Sequence, residues 1–437
     1  MWWFWDASAT SVVSFRQKLF LPEAGVARFR ASLASMRHSD GCPYHTSSTP
    51  NLPGSGSIVH PQTKPVLQSA DGLLTNRGGV ESPGSRWEQL KTGIIGARGA
   101  GKSTVFHALT GLAPIAGTAE GRNRARPGQI KVADPRLDFL ESAYGSKKKI
   151  AVELTILDFA PNPKEQKEGA ALDPSLLPLV RDMDALLIVI PQFAGMEKDL
   201  VATLESIEGE LVFADFDQAE RRLERLKKEK GGSDFERAAL EKVIAWLGDG
   251  KALRLLELTA QEGHAFSSFG FLSRKPALVT VNCEMERAAA DVTDAERAAV
   301  RAHGLEVFRL AAAFESELWE LDEAGQKEML NDAGLDAPAR DRLIGALYNH
   351  LGLITFYTAG EPEAHAWPLR RGESALDAAG VIHTDIARGF IRAEVVSYED
   401  FAIHKSDAKV KEAGKLRLEG RDYVMRDGDM IHVRFKI

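Results

Sequence analysis

From Trp87 onward, short apolar runs alternate with stretches of helical spacing. Thr92–Ile95, Leu154–Phe159, Ala185–Ile190, Ala277–Val281 and Glu306–Leu310 are rich in aliphatic and β-branched residues. Runs of that length read as strands buried on both faces, and helical stretches between them predict a parallel sheet covered by helices on each side. Between the third and fourth runs the pattern changes. Phe216, Ala219, Leu223 and Leu226 recur at helical spacing, Gly231-Gly232 interrupts them, and Leu240, Val243 and Leu247 resume, which predicts two antiparallel helices inserted into the α/β unit. The charges from Glu220 to Lys230 read as the solvated surface of that hairpin rather than a binding stripe. Near the C-terminus the period falls to two: Phe390–Val396 and Met430–Phe435 alternate as half-buried strands, and Arg426-Asp427-Gly428-Asp429 forms the turn before the last of them. A small α+β module is expected there.

The first 86 residues differ. Pro, Gly and Ser clusters such as Thr49–Ser57 occur without sustained apolar periodicity, so residues 1–86 read as a disordered extension. Ser14–Met36 is the one helical stretch, with Phe15, Leu19, Val26 and Phe29 as its apolar positions. A targeting presequence and a start codon placed too far upstream are the other readings of this segment.

Composition narrows the class. With 437 residues, 44% hydrophobic and 27% charged, the chain is long enough for two or three globular domains. A formal net charge of −7 excludes a globally basic nucleic-acid binder, so any RNA contact needs a local patch. Cys42 and Cys283 lie far apart and read as free thiols of a reducing compartment, hence a cytoplasmic address. No apolar run approaches the ~20 residues of a membrane span, and Met1-Trp2-Trp3-Phe4-Trp5 is cut short by Asp6.

The strongest chemical signal is Gly96-Ala97-Arg98-Gly99-Ala100-Gly101-Lys102-Ser103, a complete G-x-x-x-x-G-K-S phosphate-binding loop between a strand and the helix that begins near Thr104. The glycines let backbone N–H groups crowd around phosphate oxygens, and the helix N-terminus adds partial positive charge. Lys102 reaches the β- and γ-phosphates and the Ser103 hydroxyl ligates Mg²⁺. The expected ligand is a nucleoside triphosphate with Mg²⁺.

Further residues carry a family resemblance. Trp367, Ala378–Asp385, Arg388–Ala393, Tyr398–Phe401, Lys411–Lys415, Glu419–Tyr423 and Asp427–Asp429, with Ala133–Leu137, Gly209–Leu211, Asp215 and Phe356–Gly360, resemble the Obg-like ATPase (YchF) branch of the translation-factor-related P-loop NTPases. The resemblance covers residues 92–437. It implies an NTPase domain in two parts (87–199 and 273–352), a helical coiled-coil insertion (200–272) and a C-terminal ubiquitin-like β-grasp, or TGS, domain (353–437). It also implies slow ATP hydrolysis and a ribosome or RNA partner. No membrane partner is expected, and a monomer is favoured.

The nucleotide machinery departs from that pattern. Asp158 follows Leu154–Leu157 as the Asp of a D-x-x-G switch, which holds Mg²⁺ through a water. The glycine position is Pro161, and proline has no N–H to offer a γ-phosphate. Asn162 stands where Ras-like enzymes place a water-orienting Gln, one methylene too short. Asn282-Cys283-Glu284-Met285-Glu286 follows its strand with Met285 at the position that should accept from the base; a thioether is a weak acceptor. Guanine is therefore disfavoured, ATP is preferred over GTP, and Asn282 is the candidate base contact. Thr118 is a candidate Mg²⁺ ligand, and Arg122, Arg124 and Arg126 read as a solvated loop before a phosphate clamp or RNA contact. His383-Thr384-Asp385 reads as structural, because three consecutive residues in a strand or turn point different ways. Lys102 and Asp158 are the candidate catalytic pair. The alternatives are a nucleotide-binding scaffold that has lost turnover and, more remotely, a small-molecule kinase.

Overall fold

The computed structural model describes residues 90–113, 125–159, 170–228 and 233–436. The expected extension 1–86, Thr118, Arg122, Arg124, Pro161, Asn162 and the Gly231-Gly232 break lie outside these residues.

The first sheet is built from β1 (Leu90–Ile95), β2 (Ala125–Lys131), β4 (Glu153–Phe159), β5 (Ala185–Gln192), β6 (Ala277–Cys283) and β7 (Glu306–Leu310), in the order β2-β4-β1-β5-β6-β7. Its five inner and far strands are parallel, as their continuous apolar runs require; β6 is buried at every residue. The edge strand β2 corrects the all-parallel expectation. It runs antiparallel to β4 and pairs Arg126 with Asp158. Its sequence Ala-Arg-Pro-Gly-Gln-Ile-Lys has too few apolar residues to announce a strand, and proline is tolerated only because this is an edge. Arg126 thus belongs to the sheet, not to a solvated loop.

Helix α1 (Lys102–Thr110) follows β1 and buries Val105, Phe106, Ala108 and Leu109. Helix α2 (Pro135–Tyr144) follows β2, with Asp134 as its N-cap and Pro135 in its first turn. The insertion consists of α3 (Leu200–Lys228) and α4 (Asp234–Gly248). The first turns of α3 belong to the sheet: Leu200, Leu204, Ile207 and Leu211 pack with Ile188, Ile190 and Val279. Farther out, Ala219, Leu223 and Leu226 meet Leu240, Val243 and Leu247 across the hairpin, and Arg222 bridges to Glu236 at 2.8 Å. The short helix α5 (Ala312–Glu317) and helix α6 (Ala339–His350) return the chain to the far side of α1.

The C-terminal β-grasp contains β8 (Leu353–Ala359), β9 (Ala364–Arg370), β10 (Phe390–Ser397), β11 (Arg417–Glu419) and β12 (Asp429–Phe435), joined by the two-residue β3 (Lys149–Ile150) in the order β11-β10-β12-β8-β9-β3. A strand from between β2 and β4 of the first sheet therefore closes one edge of the second sheet, pairing Lys149 with Ala364 and Ile150 with His365. The two parts also share a core: Leu137 and Leu140 of α2 belong to one apolar cluster with Phe356, Tyr357 and Phe401, and Tyr144 stacks on Phe401 with centroids 5.0 Å apart. His383 is the N-cap of a short helix, Thr384–Arg388, its Nδ1 accepting from the Asp385 N–H at 3.1 Å. This is the structural role expected of the His-Thr-Asp run, in a helix cap rather than a strand. No helix among the described residues is long and apolar enough to cross a membrane.

Candidate nucleotide-phosphate site

β1 ends at Ile95 and α1 begins at Lys102, so Gly96–Gly101 connects strand to helix in six residues. Two of its glycines are sterically required. Gly96 has φ 147°, and a Cβ there would lie 2.5 Å from the Val189 carbonyl; Gly101 has φ 85°, and a Cβ there would lie 2.3 Å from Asn282 Nδ2. The loop approaches β5 at Val189 and β6 at Asn282. No side chain caps the start of α1, which leaves the first-turn N–H groups directed at a ligand. Arg98, Gly99 and Ser103 are exposed, Ala100 is buried, and Ala97 and Thr104 are intermediate.

The Lys102 ammonium donates to the carbonyls of Gly96 and Ala97 at 2.8 and 2.9 Å. Burial lowers its pKa to about 8, and the Asp158 carboxylate opposes the shift. On β4, Asp158 is hydrogen-bonded to the Ser103 hydroxyl; burial raises its pKa, opposed by Ser103, Lys102 and Arg126. Its Oδ1 is buried without a hydrogen-bond partner. A buried carboxylate oxygen left unmatched beside a serine hydroxyl is costly unless something satisfies it, and two oxygen donors of this type suit a hard divalent cation. These residues fit Mg²⁺.

Arg126 has a different role from the one expected of it. Its Nη1 donates to Ala113 O at 2.6 Å and its guanidinium lies over the Phe106 ring at 5.0 Å. It braces α1 against β2.

Asn282 is 5% exposed, and both ends of its amide are engaged. Nδ2 donates to Ala100 O at 3.2 Å and Oδ1 accepts from the Ala312 N–H at 3.1 Å. It therefore ties the phosphate loop to the start of α5, which makes it a positioning residue for the loop. Around it lie Phe193 and Met196, which sequence reasoning passed over, and Glu284. Phe193 Cε1 would meet a Gly101 Cβ at 3.9 Å, Met196 Cε a Gly99 Cβ at 2.7 Å, and Glu284 Oε1 accepts from the Ala194 N–H at 3.0 Å. Met285 is 43% exposed beside them. The available signal was position: residues 193–196 follow the carboxyl end of a central parallel strand, where open α/β sheets bind ligands.

With this geometry defined, comparison with known proteins becomes specific. The profile of the family YchF-GTPase_C, described as "Protein of unknown function (DUF933)", matches residues 353–436. A Ribosome-binding ATPase YchF from Pasteurella multocida (strain Pm70) is 35% identical over 362 residues, covering 80% of this chain and 99% of the relative. The chain belongs to the YchF family. Its YchF relative from Bacillus subtilis (strain 168), also named Ribosome-binding ATPase YchF, is 34% identical over 369 residues, covering 80% of this chain and all 100% of the relative. A solved structure of the Schizosaccharomyces pombe YchF GTPase superposes with a TM-score of 0.67 at 28% identity, covering 79% of this chain and 97% of that one. The bacterial YchF names and the yeast YchF name differ on the nucleotide, so the base side of the site decides more than the family name does.

Proposed function

We propose that this chain binds a nucleoside triphosphate with Mg²⁺, prefers ATP to GTP, hydrolyses it slowly, and acts at the ribosome in the cytoplasm as a monomer. One observation carries the reading: Lys102, the Ser103 hydroxyl and the unmatched buried oxygen of Asp158 converge at an uncapped helix start. The loop N–H groups from Gly96 to Thr104 and the Lys102 ammonium hold the β- and γ-phosphates; Ser103 and Asp158, with Thr118, hold the cation. When bound, Mg²⁺ neutralises charge on the phosphoryl oxygens. Asn282 keeps Ala100 in register, and contact with the base falls to the Phe193–Met196 loop and Met285. Met285 presents sulfur where guanine's two N–H groups need a carboxylate, which supports ATP. The names of the bacterial relatives support the ribosome.

Calorimetric titration with ATP, GTP, ADP and GDP tests the site, and phosphate release with and without ribosomes tests turnover. GTP binding more tightly than ATP would overturn the base assignment. A second reading rests on Pro161, which has no N–H at the usual γ-phosphate sensor: the chain retains nucleotide without turnover and serves as a scaffold. Tight ATP binding with no phosphate release, even on ribosomes, would select it.

A further inference from the structure

The phosphate loop lies at the carboxyl ends of the parallel strands. At their amino ends a cleft of about 420 Å³ opens, reached by Pro276 and Gly304 just ahead of β6 and β7. Three cationic or ionisable side chains line it: Arg254 from the segment after α4, Arg274 from the end of the insertion, and His350 from the last turn of α6. Leu256 and Leu258 supply an apolar wall.

The charges in this cleft do not balance. The Arg254 side chain is only 7% exposed. It pairs with Glu208 and donates from Nε to Lys275 O at 3.2 Å, but its Nη2 is buried with no partner. Arg274 makes no ion pair among the described residues; its guanidinium has one long bond, 3.5 Å to Gly263 O, and burial lowers its pKa. His350 is held below the ordinary imidazole range by burial, opposed by Glu306, with Arg254 adding to the depression. Of the nearby acids, Glu208 meets Arg254 through Oε2 while its Oε1 is buried with no partner, and Glu306 is paired with Arg301 at 3.0 Å. A guanidinium with an unmatched buried N–H is unfavourable unless an acceptor completes it.

We propose that this cleft binds a small phosphate-type anion, either free phosphate or a phosphate monoester, with Arg254 and Arg274 as its charged ligands and His350 as a hydrogen-bond partner. Planar guanidinium forks match tetrahedral oxyanions, and here the Arg274 fork shares a cleft with Arg254, whose Nη2 alone is unmatched. The basic groups sit inside a concavity rather than along an extended stripe, and the chain's net charge is −7, so a compact anion fits better than a polyanion. The site joins the hairpin, the amino edge of the first sheet and the helix that ends at His350, three residues before β8 begins. Its occupancy therefore bears on the insertion and on the first sheet, and the assignment does not depend on the nucleotide reading.

Equilibrium dialysis of the full chain with inorganic phosphate, and separately with glycerol phosphate, tests it. The loop at Lys102 also takes phosphate, so the measurement is made in a Lys102→Ala background. Binding should persist there and fall about tenfold or more on adding Arg274→Ala, with partial recovery in Arg274→Lys, since charge-assisted bonds to phosphate are among the stronger hydrogen bonds. Arg274 holds no ion pair among the described residues, so its variants should keep the parent's thermal midpoint, and that midpoint is measured alongside. Preference for glycerol phosphate identifies a monoester as the ligand; equal binding identifies phosphate itself. No binding in the Lys102→Ala background, or binding indifferent to Arg274→Ala, overturns the proposal, as does capture of an RNA oligomer at Arg274 without any small-anion binding.

Discussion

Arg136 of α2 donates from Nη1 to Asp427 Oδ2 at 2.7 Å, joining residues 291 apart in sequence. The same guanidinium donates to Asp134 at 3.0 Å, the Tyr357 hydroxyl donates to Asp134 as well, and Asp427 Oδ1 accepts from the Thr355 N–H at 2.8 Å. The segment that leaves β2, the strand beside Asp158, is thereby clamped to the β-grasp. Asp427 is 48% exposed, so solvent screens part of the attraction. A double-mutant cycle with Arg136→Ala and Asp427→Ala should give a coupling of about 0.5–1.5 kcal/mol in urea unfolding. Additive losses would mean the pair contributes no more than its separate local contacts.

Lys102→Ala should weaken ATP binding about tenfold or more, because it removes a charge-assisted contact worth about 1.5–3 kcal/mol. The Lys102 ammonium now rests on two loop carbonyls, so the variant should fold normally. Unchanged ATP affinity by calorimetry would show that nucleotide binds elsewhere.

Asp215 has no exposed side-chain surface, and it receives bonds from the Leu272 and Ser273 N–H groups, the Ser273 hydroxyl and Arg181. It fastens the end of the insertion to α3. Asp215→Ala leaves buried donors and a guanidinium unmatched and should cost about 3–5 kcal/mol. Urea denaturation measures this; a loss below about 1 kcal/mol would show that water replaces the carboxylate.

His365 stacks on Trp367 with ring centroids 3.5 Å apart. Burial, reinforced by Lys148, lowers its pKa from 6.5 to about 4. Between those values the unfolded chain binds the extra proton, so stability is complete above about pH 6.5 and falls as the pH drops toward 4. His365→Gln should flatten part of that decline, leaving the share due to His350, whose shift has the same direction. Urea midpoints at pH 7 and pH 5 check it, and an equal decline in parent and variant would rule it out.

Pro161 offers no N–H, and a switch responds only to the difference in contacts its two ligands make. ATP and ADP should therefore differ less than about tenfold in affinity with Mg²⁺. Pro161→Gly should widen that gap or raise turnover. A strong native preference for ATP, untouched by Pro161→Gly, would point to another donor.

The linear order of residues was enough to place the parallel strands, the phosphate loop, the inserted hairpin and the C-terminal module, because each of these depends on local periodicity or on a contiguous motif. β6 is buried at every position and carries the run Ala277–Val279, and the Gly96–Ser103 loop carries its backbone demands in its own glycines. What depended on partners distant in sequence was decided only by folding. β2 is a strand because β4 pairs with it, and Arg126 is a brace because Ala113 and Phe106 lie beneath it. The Asn282 amide is spent on Ala100 and Ala312. The unmatched oxygen of Asp158 and the unmatched nitrogen of Arg254 exist only as burial outcomes, since a polar atom's need for a partner is set by what surrounds it, not by its neighbours along the chain.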